Sequence, residues 1–348
     1  MSVLHVCELS VITPLGAVPQ MIKAAVDAGL NSYQRCSLPG SNEGDLTFSP
    51  VPDAALRVPL PAMLPGLSPP QIRLLRLATF ALLDLRPNLP GGTLPLFLAG
   101  PDTYYPGCGV NPAFINNLLK ATGITLDFQH SRYLGKGRAG FMEALDCAFR
   151  YVEATGADYA LVGGIDCFYD LRTLGILAEQ QRVTSEDVAD GFVPGEGAGF
   201  LLVAAPHVLP SMPHRPWLTI HRPALTFEPG HMMGNQPYRA QALAPAARKA
   251  IANAGSAARR QVTRIISAEN GEAHYTSEVS LMTIRNQHQL VADLPILRLA
   301  EHFGDLGAAF SLAAIALASV DMHTQTGITL VTAGSDSGLR GALALSAI

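Results

Sequence analysis

Apolar and polar positions alternate through residues 3–12 and predict a strand, closed by a turn at Thr13-Pro14-Leu15-Gly16. A helix is expected over about 18–29. Residues 37–70 are rich in Pro, Gly and Ser and read as irregular surface. A second helix is expected over about 70–85, and the apolar run LPLFLAG, 94–100, reads as a buried strand stopped by Gly100-Pro101. After Gly140, apolar residues fall at Phe141, Met142, Leu145, Ala148, Phe149 and Val152, the stripe of an amphipathic helix. Glu143, Asp146, Arg150 and Glu153 take its other face, and Gly156 ends it. ADYALVGGID, 157–166, then reads as a fully buried strand. The far end of the chain follows the same plan. Gly304-Asp305-Leu306-Gly307 opens a helix to about Val320, and ITLVTAG, 328–334, is an apolar strand ending in glycine. Gly137-Arg138-Ala139-Gly140 stands in the same relation to ADYALVGGID. With the Pro-rich stretch APHVLPSMPHRPW at 205–217, this suggests two halves of similar topology. Their expected bounds are 1–205 and 214–348, with a linker at 206–213.

Composition agrees with a layered α/β protein. Hydrophobic residues make up 48% of the 348 and charged residues only 15%, so many elements must be covered on both sides. The net charge of −4 comes with no basic block, which argues against a nucleic-acid partner. The longest apolar stretch, 306–320, is shorter than the ~18–20 residues of a membrane span and reads as a core helix. No signal peptide is expected from the first residues. Five cysteines without a C-x-x-C pair suit a reducing compartment, so the cytoplasm is the expected location.

The segment GKGRAG, 135–140, fits the dinucleotide fingerprint G-x-G-x-x-G. A nucleotide-binding loop of that kind follows the first strand of its domain. This one lies past residue 100, and its glycines also suit a sharp turn into a packed helix.

A family pattern accounts for it better. DGFVPGEGAGFLLV, 190–203, resembles the G-F-V-x-G-E-G-A-G segment of β-ketoacyl synthases in the thiolase superfamily. SVITPLG (10–16), ADYALVGGID and LGAAFSLAAIA (306–316) resemble further segments of that family in the right order. The resemblance implies an α/β fold of the thiolase-like type, a duplicated five-layered αβαβα arrangement, usually a homodimer. It assigns Gly195, Glu196, Gly197 and Gly199 a structural role. It also implies a cysteine nucleophile at a helix start, two histidines (or histidine and asparagine) that polarise the thioester, and a supporting lysine. In this chain those places fall on Arg138, Asn270, Gly304 and Leu299, and the family's C-terminal glycine loop on Ser335-Asp336-Ser337-Gly338. Arginine is no nucleophile. At a helix N-terminus its charge is disfavoured by ~0.3–1 kcal/mol, so Arg138 is expected to have an anionic partner, with Asp305 and Glu269 the candidates. No catalytic residue transfers.

The residual pocket is expected to hold Arg138, Asn270, His302, Asp305, Ser335 and Asp336. Cys108, in a glycine-flanked loop, has no histidine near in sequence to activate it. Cys147 falls on the apolar side of its helix. His302 could swing toward the Gly304 place, and His274 is a similar candidate. Ser131 and His130, adjacent at the end of an expected strand, face opposite sides and cannot pair as nucleophile and base. No spacing suggests a metal site, and no cofactor is expected.

Three functions follow. The first is a catalytically degenerate ketosynthase-like protein acting by protein binding. It would be either the silent partner of an active ketosynthase, as chain-length factors are, or an adaptor or chaperone in a secretion cluster such as type VI. The second is an acyl-thioester hydrolase or decarboxylase with non-standard residues. The third is an acyl- or anion-binding protein using the old pocket. The partners implied are a thiolase-fold subunit in a homo- or heterodimer, and an acyl carrier protein or a secreted effector, with no nucleic acid and no membrane.

Overall fold

The computed structural model describes residues 3–36, 46–105, 109–211, 218–255, 261–321 and 326–348. The first part of the chain runs β1 (Val3–Ile12), α1 (Pro19–Asp27), β2 (Gln34–Cys36), β3 (Leu46–Phe48), α2 (Pro69–Leu85), β4 (Leu96–Gly100) and α3 (Pro112–Thr122). It continues through β5 (Arg132–Gly135), α4 (Gly140–Thr155), β6 (Tyr159–Cys167), α5 (Leu171–Glu179) and β7 (Glu196–Ala204). The second part runs β8 (Leu218–His221), β9 (Ala224–Phe227), α6 (Leu243–Asn253), β10 (Val262–Ser267), α7 (Ala273–Asn286) and β11 (Ile296–Arg298). It ends with α8 (Ala300–Phe303), α9 (Phe310–Asp321), β12 (Ile328–Gly334) and β13 (Leu339–Ala347).

The strand order is β11-β10-β12-β13-β8-β1-β7-β6-β4-β5, with β9 also on β13. Read outward from the centre, the two arms are equivalent. β1 and β7, like β8 and β13, pair antiparallel; the antiparallel pair β6–β7 matches β12–β13. Beyond them β4 and β5 run parallel to β6, as β10 and β11 do to β12. The arms join where β1 and β8 pair antiparallel, from Val3↔His221 to Val6↔Leu218.

Helices fill both sides of each arm. α4 packs on β4, β5 and β6 and also on β9 and β13; α9 packs on β1, β6, β7 and β12. Both therefore lie between the arms. Sequence explains why: α9 is apolar all round, with Phe310 to Ala318 buried, as a helix with no solvent face must be. α2 with α3 covers the outside of one arm, and α6 with α7 covers the outside of the other. This is the five-layered thiolase-like α/β arrangement.

The turns into the two central helices show where the repeat aligns. A 3-10 turn at Gly137–Ala139 leads into α4 and another at Gly307–Ala309 leads into α9. Both begin on a glycine with positive φ, +61° at Gly137 and +52° at Gly307. The glycine spacing had matched Gly137 with Gly304, three residues too early. Gly304 instead follows the short helix α8, at a φ of +66°.

Candidate functional site

Arg138 stands in the turn that starts α4, with its side chain 4% exposed. A cation there opposes the helix dipole and loses its hydration, so it needs anions close by. Two carboxylates supply them. Arg138 Nε donates to Asp305 Oδ2 at 2.6 Å, and its Nη2 pairs with the same oxygen. Nη1 donates to Asp336 Oδ1 at 2.7 Å. Its guanidinium carbon also lies 4.9 Å from the centre of the Tyr275 ring and 5.7 Å from that of Phe192. Glu269, the other sequence candidate, takes no part; it is bonded to Arg298.

Asp336 is the hub. Its Oδ2 accepts from Arg182 Nη1 at 2.9 Å and from the Tyr105 hydroxyl at 2.7 Å, and its Oδ1 also accepts from the Tyr275 hydroxyl. Burial alone would raise its pKa, but Arg138 and Arg182 together hold it well below the usual carboxylate range. Arg182 reaches on to Glu272 through Nε at 2.7 Å and Nη2 at 2.8 Å. Asn270 closes the circuit. Its Nδ2 lies 3.0 Å from Glu272 Oε2 and 3.1 Å from Asp305 Oδ2. Both amide hydrogens are thus directed at protein carboxylates and are not offered to a bound oxyanion.

Ser335 fixes the last strand's loop against the helix start: its hydroxyl accepts from Ala139 N at 3.0 Å and donates to Lys136 O. Arg340, fully buried, holds the same loop through Ser335 O at 2.7 Å and is neutralised by Glu278 at 2.7 and 2.8 Å. Beside Arg138, lined by Tyr105, Asp166, Gly307 and Asp336, remains a cavity of ≈ 20 Å³, space for about one water. Asp166, walled in there, has its pKa pushed up to about 7, mainly by burial and further by Asp305.

The other sequence candidates are placed as follows. Leu299 is fully buried core. His302 does not swing inward; its Nδ1 lies 2.8 Å from Leu30 O, on the far side of α8. His274 stacks on Tyr238 at 3.9 Å and lies 3.4 Å from Arg340 Nη2, and burial, reinforced by Arg340, brings its pKa down to about 4. Ser131 and His130 precede β5 rather than ending a strand: both bond to Asp127 in a turn. Cys147 is half-buried on α4. Cys108 lies outside the described residues. Glu196 is fully buried, gripped by Arg73 at 2.5 and 2.7 Å, by Val51 N at 2.8 Å and by the Cys167 thiol at 3.2 Å. A Cβ added at Gly195, Gly197 or Gly199 would stand 2.6–2.9 Å from the carbonyl oxygens of Phe303, Ile12 and Ser10 respectively. Among the described residues no group of His, Cys, Asp and Glu could hold a metal ion.

Gly304 leaves no room for any side chain. Its Cβ would lie 2.7 Å from Val193 O and 3.0 Å from the Ser49 Cβ. Gly29 has a similar φ of +69° but open space around it. Gly304→Ala is therefore expected to cost about 2–3 kcal/mol in urea unfolding, and Gly29→Ala only the backbone strain of about 1 kcal/mol. Equal losses would show that packing at Gly304 is not tight.

Tyr105, Arg182, Glu272, Tyr275, Glu278 and Arg340 were missed by sequence reasoning. Tyr105, Arg182 and Arg340 come from separate segments, whereas Glu272, Tyr275 and Glu278 recur three residues apart at the start of α7, a helical spacing that was the available signal.

The family model for the β-ketoacyl synthase N-terminal domain matches residues 139–206. No curated protein matches the sequence. Among solved structures, the chain is similar to the ishigamide ketosynthase/chain length factor, at 15% identity and a TM-score of 0.77, covering 100% of this chain and 99% of that one. A type II PKS acyl-carrier protein in complex with its ketosynthase gives 15% identity and 0.76 over 100% and 99%. A β-ketoacyl synthase from Burkholderia phymatum STM815 gives 14% and 0.72 over 100% of both chains.

Proposed function

We propose that this chain, a β-ketoacyl synthase-like protein with the thiolase-type fold, acts by binding a protein partner rather than by transferring an acyl group, as the silent subunit beside an active ketosynthase. One observation carries the reading: a buried arginine, doubly paired with Asp305 and Asp336, stands where the family resemblance puts the nucleophile. With Gly304 and Leu299 in the places of a histidine and the lysine, neither of those two family groups is there to support a thiol or hydroxyl. The decarboxylase reading needs a free oxyanion donor, and Asn270 has directed both of its hydrogens at Glu272 and Asp305.

The partner reading has its own support. β5 is an edge strand of the large sheet. Beside it a cavity of ≈ 330 Å³ is lined largely by apolar groups, including Leu96, Leu98, Ile115, Phe128 and Tyr133, with Phe128 61% exposed. An open strand edge flanked by apolar surface suits pairing with a second thiolase-fold chain. The halves 1–205 and 214–348 are then the two repeats of one subunit. No described helix is long and apolar enough to cross a membrane, and Cys7, Cys147 and Cys167, none of them in a disulfide, fit a cytoplasmic setting.

Two measurements test this. Intact-mass spectrometry after incubation with acyl-CoA and acyl carrier protein thioesters is expected to show neither adduct nor thioester loss. Affinity purification from the native host is expected to recover a ketosynthase. Recovery of a secreted effector instead would replace the silent-subunit reading with the adaptor one, and a stoichiometric acyl adduct would overturn both.

A further inference from the structure

A further cavity, of ≈ 310 Å³, is lined in part by Asn270 and Gly271. It lies between the segment holding Thr184 and Gly191, the loop from Glu269 to Thr276, and residues Arg298 to Glu301, with Tyr33 at its edge. Arg298 is built into it in an unusual way. Its Nε donates to Glu269 Oε1 at 2.6 Å, and the Glu269 side chain is only 1% exposed. A carboxylate so enclosed cannot lose its counter-ion cheaply, so the guanidinium is pinned. Pinning is end-on. Among the described residues the terminal nitrogens Nη1 and Nη2 make no hydrogen bond, and the side chain is 42% exposed. A fixed guanidinium with its fork free is suited to bidentate carboxylate recognition.

The neighbouring charge narrows the ligand. Glu301 Oε1 lies 4.0 Å from Arg298 Nη1 with its side chain 63% exposed. Arg298 carries one positive charge against two negative ones on Glu269 and Glu301. A bare anion on the fork would meet Glu301, and a bare amine beside Glu301 would leave the fork unpaired. A molecule holding a carboxylate and an ammonium a few bonds apart satisfies both.

We propose that this cavity binds a free α-amino acid, its carboxylate on the Arg298 fork and its ammonium against Glu301. The inference stands apart from the silent-subunit reading, since it needs neither a dimer nor an acyl group.

The test is ligand-observed NMR on the full chain with each of the twenty proteinogenic amino acids at about 10 mM. At least one is expected to bind. Arg298→Lys, which keeps the charge facing Glu269 but removes the fork, should weaken that ligand about tenfold. Glu301→Gln, an exposed change, should weaken it severalfold while leaving the melting temperature unchanged. The amine and the acid obtained from the same ligand by loss of carboxylate or ammonium should each bind about tenfold more weakly. The proposal is overturned if none of the twenty binds, if affinity is the same in folded Arg298→Lys, or if the bare amine or acid binds equally well.

Discussion

Asp336→Asn is expected to destabilise the protein by about 3–5 kcal/mol in urea unfolding at neutral pH. The change is nearly isosteric, so packing is kept and the electrostatics alone are altered. Asp336 is shared by two buried arginines and two buried tyrosine hydroxyls. An amide keeps one acceptor oxygen and turns the other atom into a donor, which then faces a guanidinium or a hydroxyl. Arg138 keeps Asp305 and Arg182 keeps Glu272, but one net negative charge leaves a cluster that holds two arginines in a dry site. The pH dependence has a defined sign. The Asp336 carboxyl is held far below its ordinary 3.8 in the folded chain. Its contribution is therefore fully present above that value and is lost as pH falls through the lower folded pKa. The gap between wild type and Asp336→Asn should be constant from pH 7 to about 5 and close only in strong acid. A gap that closes between pH 7 and 5 would point to Asp166, whose carboxyl is raised to about 7, as the titrating group, and away from the arginine pairs.

The fold was legible where the sequence repeats a period. The stripe from Phe141 to Val152 became α4, with Gly156 ending it in the left-handed conformation at φ +69°. The run ITLVTAG became β12 unchanged, residue for residue. Likewise the largely apolar 306–320 segment yielded the turn at Gly307–Ala309 and a helix buried from Phe310 to Ala318. Errors came where one residue serves two purposes. Gly304-x-x-Gly307 mimics Gly137-x-x-Gly140 in letters, yet Gly304 closes α8 and only Gly307 opens the turn into α9. At the site, Arg138 demanded an anion on local grounds, and Asp305 was foreseeable as one. Asp336 is expected from the sequence in the pocket but not as its hub. Its role depends on Arg182 and Tyr105, 154 and 231 residues away along the chain, and no periodicity encodes a contact of that kind. His302 misled for the opposite reason: its place in sequence was right, but α8 turns its ring toward Leu30.

Arg138→Cys should not make the chain an acyltransferase. Intact-mass spectrometry with acyl thioesters is expected to show no adduct at residue 138, and urea unfolding a loss of about 3–5 kcal/mol. The stability loss arises because Asp305 and Asp336 would face each other across a vacated site; Asp336 would keep Arg182, but Asp305 would be left with Asn270 and the Gly307 amide. The missing adduct follows from the same carboxylates. A thiol needs its charged form to attack. The helix start favours a thiolate by up to ~1 kcal/mol, whereas two carboxylates within reach of the old guanidinium and burial both raise its pKa. The carboxylates are the nearer and fully charged groups, so they win. Asp305→Asn and Asp336→Asn added to Arg138→Cys would remove that opposition yet still supply no histidine, since Gly304 has no room for one. A stoichiometric thioester on the single variant would mean that the dipole outweighs the carboxylates, and that one substitution separates this chain from an acylating ketosynthase. Its absence, in a chain that still folds, would show that the two carboxylates outweigh the helix start at residue 138.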